Sequence, residues 1–238
     1  MILAAGFGER MRPLTLSTPK PLLPVDGTPL IVRHLRRLAA GGVSDVVINV
    51  CWLKEAFRPV LGDGSEFGLR LRYVDEGDAP LEVAGGIRNA LEHFGEAPFC
   101  VVNGDVYCDY PLPVAAPAPG RLGHLVLVPN PAQHPRGDFA LECGEVRLDG
   151  ARRYTYAGIA SFQPTLFASL PAGRAALKPL LVGALRAGRL TGELHEGEWS
   201  DVGTPERLEA LSRAVAAARL REAYNTAAMA PPGKLIYE

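Results

Sequence analysis

A chain of 238 residues holds one large domain or two small ones and excludes a long multidomain array. Its 47% hydrophobic and 21% charged residues describe an ordinary globular core and exclude a disordered chain. A formal charge of −1 excludes a strong global field toward nucleic acid or anionic lipid, so any polyanion site must be local.

Short β-type runs alternate with helix-type segments through the first half, an order that predicts a parallel sheet with crossover helices. Met1–Ala5 is the first strand. This apolar start stops at Gly6, too short for a signal-peptide core or a membrane span, and no membrane partner is expected. After a loop rich in Gly and Pro, Thr28 and Pro29 predict the N-cap and first residue of a helix. Its Leu30, Ile31, Leu35, Leu38 and Ala39 share one face, and Gly41-Gly42 ends it. Val46–Val50 predicts a second strand, Leu53–Leu61 a short helix, Leu69–Val74 a third strand and Ala84–Phe94 another helix. Phe99–Val102 is continuously apolar, as a strand buried on both faces requires.

Pro and Ala dominate Pro111–Gly120, an irregular connection that marks a seam between two halves. Leu125–Val128 resumes the sheet, Phe139–Leu148 predicts a hairpin turning near Cys143-Gly144, and Tyr156–Phe162 a further strand. Helices are predicted over Leu177–Ala187 and Arg207–Tyr224, the latter with Leu208, Leu211, Val215 and Leu220 spaced for one buried face. Ala230-Pro231-Pro232-Gly233 breaks any helix, so residues 225–238 are expected to be a loose tail after a single domain over 1–224. Cys51, Cys100, Cys108 and Cys143 form no CxxC pair. That argues against a zinc site or a disulfide framework and predicts four buried thiols in a reducing, cytoplasmic protein.

The first strand runs into Gly6-Phe7-Gly8-Glu9-Arg10-Met11-Arg12. Two glycines let backbone N–H groups approach an anion and two guanidinium groups follow, so the segment reads as a phosphate cradle or as a plain tight turn. It lacks the Gly-Lys-Ser/Thr of a P-loop, and Met11 and Pro13 stand where the dinucleotide fingerprint needs a glycine and a helix start. Pro19 and Pro21 hold Lys20 in a stiff loop, as a positioned charge if it faces the glycine turn and otherwise as a surface lysine. Asn103-Gly104-Asp105 ends the fourth predicted strand, where open α/β sheets gather ligands. Asp105, and Asp201 in Trp199-Ser200-Asp201-Val202-Gly203-Thr204, read as metal ligands or as turn residues. They can clamp one Mg²⁺ only if the fold brings them together. Arg136-Gly137-Asp138, read by itself, is a salt-bridged turn.

Leu3-Ala4-Ala5-Gly6-Phe7-Gly8-Glu9-Arg10-Met11, followed by Pro19-Lys20-Pro21-Leu22, resembles the signature of the sugar-1-phosphate nucleotidyltransferases, which join a nucleoside triphosphate to a sugar phosphate. Asn103-Gly104-Asp105 and Trp199–Thr204 resemble the family's two metal-aspartate motifs, so the resemblance runs from Met1 to about Tyr224. Within the family, Pro80-Leu81-Glu82 leading to Gly85-Gly86, together with His134–Phe139, is most similar to the branch that uridylylates N-acetylmuramate α-1-phosphate in cell-wall recycling.

The resemblance implies a Rossmann-like α/β nucleotidyltransferase fold with a mixed, mostly parallel sheet flanked by helices. It places a nucleotide half over about 1–110 and a sugar half over about 111–224. It implies that Arg10 and Lys20 are catalytic and that Leu3, Ala4, Ala5, Gly6, Gly8, Glu9, Glu82, Gly85 and Asn103 surround the nucleotide. Gly137, Asp138, Glu142, Gly158 and Arg153 would hold the sugar phosphate, and Asp105 and Asp201 the Mg²⁺. The expected substrates are UTP and a sugar 1-phosphate, handled by a monomer with no nucleic-acid partner. Rivals with the same chemistry are mannose 1-phosphate with GTP, glucose 1-phosphate with dTTP or UTP, and phosphocholine loading. A sugar-nucleotide sensor without turnover is the rival of another class. Two departures are visible. The family's Glu-Lys-Pro sugar-phosphate segment is absent, with Arg153 or Arg152 left to supply its charge, and Val83-Ala84 stands where the branch has Thr-Gly.

Overall fold

The apolar runs are buried on both faces because helices cover both sides of one sheet. The computed structural model describes residues 1–228. Its strands are β1 (Ile2–Leu3), β2 (Pro24–Val25), β3 (Thr28–Pro29), β4 (Asp45–Val50), β5 (Arg70–Asp75), β6 (Phe99–Asn103) and β7 (Val106–Cys108) in the first half. The second half adds β8 (Gly123–Val128), β9 (Phe139–Glu142), β10 (Glu145–Arg147), β11 (Arg153–Phe162), β12 (Leu190–Leu194) and β13 (Trp199–Asp201). The helices are α1 (Leu30–Ala40), α2 (Phe57–Leu61), α3 (Glu82–Asn89), α4 (Leu177–Arg186) and α5 (Pro205–Ala228).

The main sheet runs β5-β4-β1-β6-β11-β8-β12-β10-β9. Its first four strands pair in parallel, as crossover helices require. In the second half β11 lies antiparallel to both β6 and β8, whereas β12 is parallel to β8. Alternation along β4 sends Val46, Ile48 and Val50 into the core under α1 and α2, and Val47 into the core under α3 and α4. Ile31, Leu35 and Phe57 close the first face; Ile87, Phe162, Phe167 and Leu181 close the second. Each such side chain stabilises the fold by about 1.5–3 kcal/mol on burial.

Several elements differ from the sequence pattern for local reasons. Thr28-Pro29 is not a cap and helix start but strand β3, because Asp26 and Gly27 both take positive φ and make a two-residue hairpin with β2. A positive φ at Leu53 delays α2 until Phe57. Helix α3 gives way to a 3-10 turn over Leu91–His93. On α5, Leu208 is buried, and Leu211 and Val215 pack against the same small core of Met11, Leu23, Val25, Leu30 and Val202, but Leu220 is 67% exposed where the helix leaves the body. The helix continues to Ala228, so residues 225–228 of the expected tail are helical; the expected break at Ala230–Gly233 lies outside the described residues. All four thiols are free, and Cys143 is exposed at the β9–β10 turn instead of buried. Among the described residues no helix is long and apolar enough to cross a membrane.

Candidate functional site

A cavity of about 730 Å³ opens at the C-terminal ends of β1, β4, β5 and β6. Parallel strands end together there, and the loops that follow them build its walls. Leu3, Ala4, Ala5, Gly6, Gly8, Glu9 and Arg10 all line it. The glycine turn is tied internally: Met11 N–H and the Thr15 hydroxyl both donate to the Gly8 carbonyl at 2.8 Å. Gly8 has φ +65°, and a Cβ there would stand 2.8 Å from Thr15 Cγ2. Open space surrounds Gly6, where an anion can approach the backbone.

Lys20 is buried on the cavity wall and forms an ion pair with Asp105, which is not the surface position that a Pro-rich loop commonly gives a lysine. Gly104 N–H donates to the Leu3 carbonyl at 2.8 Å, which docks the Asn103-Gly104-Asp105 corner on β1. Asn103 lines the cavity, and Gly158 backs it across the β6–β11 pairing. With φ +73° at an irregularity in β11, Gly158 leaves the space that a Cβ, 2.6 Å from Asn103 Nδ2, would fill.

Asp201 reaches the neighbourhood of Asp105 through the antiparallel β7–β13 pair, where it stands opposite Val106. Val202 N–H donates to the Asp105 carbonyl at 3.0 Å. The Asp201 carboxylate does not line the cavity; it pairs with Arg207 at 2.5 Å and accepts from Gln133 Nε2 at 2.7 Å. Both aspartates offer the hard oxygen donors that Mg²⁺ prefers. The lining holds three cations, Arg10, Lys20 and Arg174, against four carboxylates, Glu9, Glu76, Glu82 and Asp105. Lys20 and Arg174 are already paired, leaving Arg10 as the lining cation without an ion pair among the described residues. A triphosphate in this cavity needs more positive charge than the chain supplies, so the residues present fit a divalent cation.

Glu82 lines the cavity at φ +60° and pairs with Arg174 at 2.7 Å. Gly85 turns away from it, against the Gly173 carbonyl, and its N–H donates to the Ala175 carbonyl at 3.0 Å. Its part is close packing of α3 on the 173–175 segment. The expected sugar-phosphate residues Gly137, Asp138, Glu142 and Arg153 also lie off the cavity. Asp138 accepts from Tyr156 N–H at 2.9 Å and faces His134 at 3.2 Å. Arg153 donates to the Leu148 and Asp138 carbonyls, and Glu142 pairs with Arg147. A Cβ on Gly137 would stand 2.8 Å from the Tyr154 carbonyl oxygen. These four hold the β9–β10–β11 corner together.

Sequence reasoning missed a buried polar chain beside the cavity. Ala4 N–H donates to Asn49 Oδ1 at 2.9 Å, Asn49 Nδ2 to Glu76 Oε1 at 2.6 Å, and Leu81 N–H to Glu76 Oε2 at 2.7 Å. It joins the loop after β1, the ends of β4 and β5, and the loop before α3. Asn49, the lone polar residue in an apolar run, was its one visible signal. Arg174 was also missed, since nothing local marks an exposed arginine in a Gly- and Ala-rich loop.

Residues 1–118 match the nucleotidyl transferase family model. The chain is 46% identical over 218 residues to N-acetylmuramate alpha-1-phosphate uridylyltransferase of Neisseria meningitidis serogroup B, covering 88% of this chain and 94% of that one. It is 35% identical over 239 residues to the enzyme of the same name from Caulobacter vibrioides, covering 94% and 97%. Among solved structures, HddC from Yersinia pseudotuberculosis superposes with a TM-score of 0.73 at 18% identity, over 90% of this chain and 97% of that one.

Proposed function

The chain belongs to the nucleotidyl transferase family, and from that premise we propose that it transfers UMP from UTP to N-acetylmuramic acid α-1-phosphate and releases pyrophosphate. The observation that carries the chemistry is the Lys20–Asp105 pair set in one cavity wall beside the Gly6–Arg10 turn. The choice of uracil and muramate rests on the similarity to the two uridylyltransferases, which extends over nearly the whole chain.

A phosphate oxygen of the sugar phosphate attacks the α-phosphorus of the triphosphate. The bond from that phosphorus to the oxygen bridging toward the β-phosphorus breaks, and pyrophosphate leaves with the electron pair. The attacking oxygen is already anionic, so positioning and charge neutralisation carry the rate and no general base is needed. The backbone of Gly6–Arg10 and the Arg10 guanidinium hold the β- and γ-phosphates, while Lys20 faces the transferred phosphoryl group. Asp105 and Asp201 would hold Mg²⁺, Asp201 by giving up its ion pair with Arg207, and the ion would supply Lewis-acid neutralisation of phosphate charge. The polar chain through Asn49 and Glu76 fixes the loops of Leu3–Ala5 and Leu81–Val83 around an apolar slot for the base. Asn103, which lines the cavity and is backed by Gly158, is assigned to the ribose or the sugar.

Pyrophosphate release across UTP, dTTP, CTP and GTP, each against N-acetylmuramate, N-acetylglucosamine, glucose and mannose 1-phosphates, tests the reading. One dominant combination, UTP with N-acetylmuramate 1-phosphate, lost on adding chelator, is the expected result. Dominance of another combination would overturn the substrate assignment, and no release in any would overturn the catalytic one.

A further inference from the structure

The ends of β7 and β12 bring together three donors that the nucleotide cavity does not use. Cys108 Sγ, an Asp109 carboxylate oxygen and a ring nitrogen of His195 all lie within 4.8 Å of one another. His195 Nε2 and Asp109 Oδ1 stand 2.6 Å apart, so carboxylate and ring already face each other. The backbone on each side is anchored: His195 N–H donates to the Leu127 carbonyl at 2.8 Å, and Asp109 N–H to the Glu198 carbonyl at 3.0 Å. Tyr110 N–H donates to Cys108 Sγ at 3.3 Å, an outer hydrogen bond of the kind that tunes metal-bound sulfur. Gly197 keeps the space clear, since a Cβ there would come within 2.6 Å of His195 Cε1 and 2.5 Å of Asp109 Oδ1.

We propose that Cys108, Asp109 and His195 bind one zinc ion per chain, at a site distinct from the nucleotide cavity. One sulfur, one nitrogen and one oxygen donor suit Zn²⁺, whereas Mg²⁺ takes oxygen alone. Zinc bonds near 2.0 and 2.3 Å set donors roughly 3.3–3.8 Å apart, so a modest side-chain rotation completes the set. The fourth position falls to water. Cys108 is buried and the Asp109 side chain is half exposed, so the ion enters past the carboxylate and expels the thiol proton. Adjacent Cys108 and Asp109 meet His195 only through the fold, so no paired-cysteine spacing marks the site in the sequence. The bound ion would staple the end of β12 to β7, the strand that begins beside Asp105 and pairs with the one carrying Asp201.

The test uses the full chain, stripped with chelator and titrated with Co²⁺ and then Zn²⁺. One Co²⁺ per chain should produce a thiolate-to-metal charge-transfer band, and Zn²⁺ should displace it. Cys108→Ser should abolish the band, and His195→Gln should weaken Zn²⁺ at least about 10-fold. Cys143→Ser and Asp105→Asn should leave it unchanged, which separates this site from the exposed thiol and from the Mg²⁺ ligands. Melting curves of the metal-free variants that match the metal-free parent establish that folding is intact. A parent chain with no charge-transfer band, or a band that survives Cys108→Ser, would overturn the proposal.

Discussion

Lys20 and Asp105 are 85 residues apart in sequence and directly paired on the cavity wall. The lysine side chain is 10% exposed and the aspartate 35%, so the ammonium is held from below while the carboxylate still meets solvent. Removing the charge of either should lower kcat by about 10²–10³, the scale of losing one preorganised electrostatic contact. Asp105→Asn also takes the counter-charge from the buried Lys20 ammonium while its amide oxygen keeps one acceptor, so it should cost about 1–3 kcal/mol of stability. Pyrophosphate release and thermal melting measure the two effects. Parent-like turnover in Asp105→Asn would remove it from the reacting centre.

Glu76 is buried and spends both carboxylate oxygens, one on Asn49 and one on Leu81 N–H. Glu76→Ala leaves those donors without an acceptor, at a cost of about 1–3 kcal/mol. The chain positions the loops that surround the base, so KM for the triphosphate should rise more than kcat falls. Glu76→Gln keeps oxygen and size and should recover part of the loss. A pure kcat effect with KM unchanged would contradict the positioning role.

Gly8→Ala places a Cβ 2.8 Å from Thr15 Cγ2 at a residue with φ +65°. The strain should cost about 1–3 kcal/mol and raise KM for the triphosphate. Thr15→Ser removes the obstructing methyl, so in the double variant it should restore stability that the φ penalty alone does not claim. Strict additivity in denaturant titrations would count against the contact.

His34 is buried on α1, with its ring toward the Val106 backbone. Burial pushes its pKa down from 6.5 to about 4 and Arg37 adds to this, against weaker upward pulls from the Val106 backbone and Asp105. Between those two values the unfolded chain binds the proton and the folded chain does not, so His34 removes stability as pH falls through that window. The loss approaches about 3 kcal/mol near pH 4. His34→Met has nothing to titrate there, so its urea midpoint should fall less than the parent's from pH 6.5 to 4. Parallel profiles would show that the ring titrates normally.

The first half of the sheet is legible because β4 and β6 are covered on both sides and therefore read as mainly apolar runs, interrupted in β4 by Asn49. Strand β12 is not: Gly192 replaces an apolar residue where a Cβ would meet the Leu125 carbonyl at 2.8 Å, and Glu193 faces outward. Lys20 and Asp105 stand out through flanking prolines and a strand end, but only the fold pairs them. Asp138 and Arg153 show the limit of charge as a signal. A charged side chain looks the same in sequence whether it waits for a ligand or satisfies backbone groups a few residues away, as these two do.

The β7–β13 ribbon works as a ruler between two carboxylates. Side chains along a strand alternate with period two, so a single residue inserted or deleted within 106–108 or 199–201 would swing one aspartate to the opposite face. The irregular 111–120 connection lies outside the ribbon, so a change of length there leaves the spacing of Asp105 and Asp201 intact.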